Sequence, residues 1–177
     1  IIAGGIGIAP LYELLIRLSD GRIPGREPPL RLLYGARTAD ELLPMSCFHE
    51  LAASVSFATD DGSLGYRGTV PELLGLLTAK EKLEPQLVYA CGPLGMQYRV
   101  AVWVKERGIP SQLSLESLMA CGLGACLGCA LPAPHPDDPL RPHYVHVCKD
   151  GPIFEAGAIE WQKIVGQQTI APTFLFS

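Results

Sequence analysis

The sequence predicts an α/β protein in which a doubly wound, five-stranded parallel sheet precedes a small cysteine-rich lobe. Three observations lead there. Short apolar runs, among them Leu30–Gly35, Gln86–Ala90 and Ser111–Glu116, alternate with stretches whose apolar residues recur at helical spacing. Two of the runs end in glycine-bearing turns, Gly4-Gly5-Ile6-Gly7 and Cys91-Gly92-Pro93. Past the last run, Cys121, Cys126 and Cys129 stand in a C-x4-C-x2-C pattern, with Cys148 far downstream.

Ile1 to Gly7 has the composition of a strand end and a glycine turn, after which Pro10 falls in the first turn of a helix whose Leu11, Leu14, Leu15 and Leu18 form one apolar face. Such a strand, turn and helix start can seat a pyrophosphate, because glycines admit it and the helix presents free amides. It is not the full G-x-G-x-x-G fingerprint, and a tight turn with no ligand has the same composition. Asp20 to Pro29 is a polar, proline-rich connection. The second strand, Leu30–Gly35, is followed by Arg37, which is either at the adenosine end of a dinucleotide or an ordinary solvated arginine. Thr38 can cap a short helix, Ala39 to Leu43, and Cys47 is expected to be a buried small residue. Leu51 to Ala58 supplies a third strand, Thr59 to Gly65 a turn-rich loop, and Thr69 a cap for a helix through Leu77. A fourth strand ends at Cys91, a helix runs from Leu94 to Arg107, and a fifth strand, Ser111–Glu116, leads into the cysteine loop.

In an open parallel sheet, ligands bind beyond the carboxyl ends of the strands. Gly4, Gly5, Gly7 and Pro10 would then share a crevice with Cys91, Gly92 and Pro93, and a bulky residue at Gly7 should weaken nicotinamide use without altering metal content. Cys91 is either a packed thiol or a soft side chain beside a nicotinamide ring.

The 177 residues suffice for one well-buried domain and a smaller lobe. A formal charge of −4 with no basic stripe argues against nucleic acid, and the most apolar stretch, Ile1 to Leu18, is interrupted by glycines, Pro10, Glu13 and Arg17, so no membrane span is expected. Six cysteines without a secretory leader point to the cytoplasm.

Cys121, Cys126, Cys129 and Cys148 have the plant-type spacing for a [2Fe-2S] cluster. Gly122, Gly124 and Gly128 let the chain wrap closely, while Ala120, Leu123, Ala125, Leu127 and Ala130 are expected to form an apolar sleeve against water. Nothing in the loop offers a proton or a nucleophile, which leaves electron transfer. Zinc competes, although its structural sites usually present two short cysteine knuckles; disulfides would need an oxidising compartment. Pro132, Pro134, Pro136, Pro139 and Pro142 predict irregular chain between the third and fourth cysteines, and His135, His143 and His146 are read as surface residues. Ile153 to Trp161 is expected to fold back on the lobe, and the tail after Gly166 is unassigned.

Taken in order, Gly-Gly-Ile-Gly-Ile-Ala-Pro, Tyr-Gly-Ala-Arg, Thr-Asp-Asp-Gly-Ser, Tyr-Ala-Cys-Gly-Pro, the loop from Ser114 to Cys129, and Val-Cys-Lys-Asp-Gly-Pro-Ile-Phe resemble the electron-transfer subunit of class 1B dihydroorotate dehydrogenase, a ferredoxin-reductase-like flavoprotein. The resemblance runs from Ile1 to about Trp161. It implies an NAD-binding domain over residues 1–113 and a [2Fe-2S] lobe over 114–165, with Gly4, Gly5, Gly7 and Cys91-Gly92-Pro93 at the NAD crevice and the four cysteines as cluster ligands. It further implies electron flow from NADH through FAD and the cluster to FMN in a partner catalytic subunit of pyrimidine biosynthesis, in a hetero-oligomer. The family's N-terminal flavin-binding barrel is not found in these residues, so the chain is expected to be a fragment. The small flavoprotein subunit of a ferredoxin-NADP reductase or sulfide dehydrogenase is the nearest alternative, and a zinc-stabilised nucleotide-binding module is the alternative from another class.

Overall fold

Five short parallel strands build the centre of the molecule, with runs buried on both faces such as Ile2–Gly4 and residues 32–35. In the computed structural model, which describes residues 1–21, 29–81 and 84–168, these are β1 (Ile2–Gly4), β2 (Leu30–Ala36), β3 (Ala53–Thr59), β5 (Val88–Cys91) and β6 (Ser111–Ser114). Two further strands, β4 (Tyr66–Arg67) and β9 (Ile153–Phe154), extend the sheet to seven in the order β4-β3-β2-β1-β5-β6-β9. All pairs are parallel except β6 with β9.

Alternate residues serve opposite faces, as the pleat demands. Ile2, Leu33, Ala58, Val88, Ala90 and Leu113 face α2 (Val70–Glu81) and α3 (Leu94–Arg107). Ala3, Leu32, Tyr34, Phe57 and Cys91 face the other way, toward α1 (Ile8–Ser19) and Phe48. Helix α1 buries Ile8, Leu11, Leu15 and Leu18, the 3-4 spacing of a single apolar stripe. Helix α3 stops where Gly108 takes a left-handed conformation (φ 63°), which a Cβ would oppose. Helices on both faces make the sheet doubly wound, as the sequence predicts.

The differences from expectation lie at the sheet margins. Seven strands replace five because two short returns find open edges. Gly65, with φ 71°, turns the chain after the Thr59 loop so that Tyr66 and Arg67 pair with Ala58 and Thr59. Ile153 and Phe154 pair with Ser114 and Leu113, while Trp161 donates its indole N–H to Ala156 O at 2.8 Å. The segment after Cys148 therefore folds back on the main sheet and α3, and not on the lobe alone. Its Phe154, Ile159 and Trp161 share one apolar cluster with Val100, Val104, Cys129 and Val147.

The proline-rich stretch is also more regular than expected. β7 (Ala130–Ala133) and β8 (His143–His146) form an antiparallel pair, with Pro132 opposite Tyr144. In a two-stranded ribbon both strands are edges, so a residue without an N–H can stand there; the Pro132 carbonyl instead accepts from Glu160 N at 2.9 Å. Pro134, Pro136, Pro139 and Pro142 fall in the connection between the strands. A four-residue helix, α4 (Val147–Asp150), carries Cys148, and α5 (Trp161–Gln168) closes the described chain. The expected helix at Ala39 to Leu43 is only a 3-10 turn, Ala39–Glu41, with no side-chain cap from Thr38. Most of the Asp20 to Pro29 connection and the tail beyond residue 168 lie outside the described residues.

Candidate nucleotide crevice and cysteine centre

Strand order reverses between β1 and β5, the neighbours of which lie on opposite sides, and the crevice outside their carboxyl ends is where ligands of such sheets bind. Two cavities open there. One, of about 520 Å³, runs from Gly4, Gly5 and Pro93 across Gly35 and Ala36 to Arg37, Glu41 and Asp60. The other, of about 330 Å³, starts from the same Gly4, Gly5 and Pro93 and extends over Gly7, Gly92 and Leu94 to Leu115 and Glu116. Together they form a trough that leads from the end of β2 to the residues just before the cysteine loop.

The glycines of this trough differ in what they do. Gly5 has φ 52°, and a Cβ added there would meet nothing within 4 Å, so its side is open to the crevice. Gly7 faces inward, and its Cβ would collide with the backbone of Cys91. A Cβ on Gly4 would press on the flexible end of Met96, which can shift, and on the ring of Pro93, which is tied to the backbone and cannot. Cys91 itself is only 1% exposed and lines neither cavity; burial pushes its thiol pKa up. Pro10 is exposed on α1 and lines neither cavity. Cys47 is half-buried, and its carbonyl accepts from Tyr12 Oη at 2.7 Å.

At the far end of the trough the sequence reading weighed Arg37 alone. The structure adds Glu41, Asp60, Thr69 and Arg99 to the lining. Arg37 Nη2 donates to Glu41 Oε1 at 2.5 Å, and Glu41 Oε2 accepts from Arg37 Nε at 3.3 Å and from its backbone N at 3.2 Å. These hydrogen bonds hold the Glu41 carboxyl below the usual range and raise the arginine. The available signal was the i, i+4 spacing of the pair.

The four cysteines gather as two pairs. Cys129 and Cys148 have sulfurs 3.3 Å apart. The Cys121 Sγ accepts from the amides of Leu123 and Cys126, each at 3.4 Å, and Gly128 N donates to Cys126 Sγ at 3.4 Å. Amides aimed at Cys121, first that of Leu123, bring its pKa down to about 6, the direction a thiolate ligand needs. Gly122 and Gly124, at φ 68° and 76°, make this turning-in of amides possible. Among the described residues, no group of three or more His, Cys, Asp or Glu side chains is drawn together around a single point. The donor set nonetheless fits an iron-sulfur cluster: four thiols in two pairs, with amides turned toward the sulfurs.

The expected apolar sleeve points the wrong way to shield the cysteines. Leu123 is 81% exposed and Leu127 61%, and with Leu118 at 87% they form an apolar surface around the loop. Packing inside the chain is provided instead by Val147 and by the buried flank of Cys129. Among the described residues no helix is long and apolar enough to cross a membrane.

Residues 1–101 match the model of the oxidoreductase NAD-binding domain. The chain belongs to that family. Residues 116–160 match a second model, the iron-sulfur cluster binding domain of dihydroorotate dehydrogenase B. Among curated relatives, the dihydroorotate dehydrogenase B (NAD(+)) electron transfer subunit of Desulforamulus reducens is 35% identical over 92% of this chain and 58% of its own length. The probable counterpart in Archaeoglobus fulgidus is 36% identical over 91% of this chain and 61% of its own. That of Geobacillus thermodenitrificans is 35% identical over 90% and 56%. The chain thus spans between 56% and 61% of the length of these relatives. A chain from the structure of an NADH-dependent reduced ferredoxin-NADP oxidoreductase superposes with a TM-score of 0.74 at 25% identity, covering 97% of this chain and 56% of that one. An NAD-binding domain and an iron-sulfur-binding domain are therefore joined in one doubly wound α/β body.

Proposed function

We propose that this chain is the nicotinamide-binding and iron-sulfur part of a dihydroorotate dehydrogenase electron-transfer subunit, which passes electrons from NADH by way of FAD and a [2Fe-2S] cluster to an FMN-containing catalytic subunit. The observation that carries this reading is the shared trough, whose smaller cavity reaches from the Gly4–Gly7 turn to Leu115 and Glu116, five residues before Cys121. Residues 1–113 are the proposed NAD-binding part and residues 114–165 the proposed cluster lobe.

A nicotinamide gives up two electrons as a hydride, a flavin can release them singly, and an iron-sulfur cluster carries one at a time. The residues of this chain would position those groups. Gly5 leaves room for the dinucleotide, Gly92 and Pro93 form the facing wall, and the paired thiols Cys121 with Cys126 and Cys129 with Cys148 are the proposed iron ligands. The exposed Leu118, Leu123 and Leu127 supply a surface where a partner subunit can exclude water from the cluster. FAD is assigned to a part of the longer subunit outside these residues. The likeness to the ferredoxin-NADP oxidoreductase chain supports a second reading, a small flavoprotein subunit of that type.

Stopped-flow absorbance at the cluster band, after mixing with NADH, tests the route. The flavin-free chain should show no useful reduction, the full-length subunit with FAD rapid reduction, and the complex NADH oxidation coupled to orotate. Rapid reduction in the flavin-free chain would overturn the route, and coupling to ferredoxin and NADP in place of orotate would favour the second reading.

A further inference from the structure

A dinucleotide seated in the crevice described above would lay its adenosine half toward the end of β2, where NAD and NADP differ by a single phosphate on the ribose 2′-oxygen. An arginine at that position ordinarily accommodates the phosphate, whereas a carboxylate accepts hydrogen bonds from the free hydroxyl. This chain has both, Arg37 and Glu41, and the arginine is already engaged. Its Nη2, Nε and backbone N all donate to the one carboxylate of Glu41.

The pair is held in place by the neighbouring loop. Asp60 N donates to Ala36 O and Asp61 N to Arg37 O, each at 3.2 Å, while Ala39 N donates to Ser63 Oγ at 2.8 Å. The Ser63 hydroxyl is in turn fixed by Asp61 Oδ1 at 2.6 Å. Asp60 lies on the same cavity wall and adds a second negative charge beside Arg37. The other arginine of the cavity, Arg99, has Glu72 at 3.8 Å and the Thr69 hydroxyl at 3.4 Å. Each cation of the cavity is therefore matched by a carboxylate, and a phosphate dianion arriving at the β2 end would meet carboxylate oxygens before it met a free guanidinium.

Building on the nucleotide reading, we infer that Glu41 is the residue that selects NAD over NADP, by occupying Arg37 and by accepting from the ribose hydroxyl. Among the described residues Glu41 Oε1 has a single donor, Arg37 Nη2, which leaves it lone-pair capacity for a hydroxyl.

Calorimetric titration of the full-length subunit with ADP-ribose and with 2′-phospho-ADP-ribose isolates this contact from redox chemistry. Wild type should bind ADP-ribose at least about tenfold more tightly. Glu41→Ala and Glu41→Gln should narrow that ratio by about tenfold or invert it, with 2′-phospho-ADP-ribose gaining affinity. Arg37→Ala alone should leave the weak 2′-phospho-ADP-ribose binding unchanged, and Arg37→Ala combined with Glu41→Ala should abolish the gain. An unchanged ratio in both Glu41 variants, or a wild type that prefers the phosphorylated ligand, would overturn the assignment while leaving the crevice a nucleotide site. Absence of binding by either ligand would overturn the nucleotide reading itself.

Discussion

A Cβ on Gly7 would stand 2.3 Å from the carbonyl oxygen of Cys91. That approach brings the start of α1 against the end of β5 and closes the floor of the crevice, and backbone cannot yield as a side chain does. Gly7→Ala should therefore destabilise the whole fold, by about 2 kcal/mol or more, and lower the melting temperature before any effect on nucleotide binding is read. Gly5 is the position that separates binding from folding. Gly5→Ala meets no neighbour and costs about 1 kcal/mol for its left-handed backbone, yet it places a methyl group in the trough and should weaken NADH binding. Equal melting temperatures for wild type and Gly7→Ala would refute this division of labour.

Removal of any one proposed ligand should empty the cysteine centre. Serine at Cys121, Cys126, Cys129 or Cys148 should lower iron and acid-labile sulfide in anaerobically purified protein, whereas alanine at Cys47 should not. Chemical assay of iron and sulfide decides the matter; stoichiometric zinc without sulfide in the wild type would exclude the cluster.

Helix α2 opens on a side-chain cap from its first turn. Glu72 Oε2 accepts from Thr69 N at 2.8 Å, while the Thr69 carbonyl accepts the first helical bond, from Leu73 N at 3.0 Å. The amide of Thr69, then its hydroxyl, lower the Glu72 pKa. A lowered folded-state value means that the stabilisation is complete above 4.5, the ordinary value of a glutamate, and is lost as the pH falls through the lower folded value. Glu72→Ala should cost about 0.5 kcal/mol at neutral pH, the low end for a cap because the site is open to water. Urea unfolding of both proteins should show the gap closing toward pH 3 and staying constant from pH 6 to 8; a gap that grows on acidification would contradict the cap.

Local chemistry made much of this protein legible in its sequence. The alternation of apolar runs fixes strands and helices because side-chain period follows backbone geometry, so β2 and α3 start where the pattern places them and α3 ends before Gly108. The C-x4-C-x2-C spacing, with its glycines, specifies a loop that turns amides toward sulfur. Long-range approach decided the rest. Gly5 and Gly7 are two residues apart in one turn, yet one faces open space and the other the backbone of Cys91, a contact between residues 84 positions apart. Cys91 is buried by helix α1 and the strands beside it, and Arg37 is occupied by the carboxylate of Glu41, on a turn whose Ala39 amide donates to Ser63. Of the prolines that predicted irregular chain, four fall in the connection between β7 and β8, and Pro132 stands in a strand because both strands of the pair are edges, a condition set by which strands pair and not by what any one strand contains.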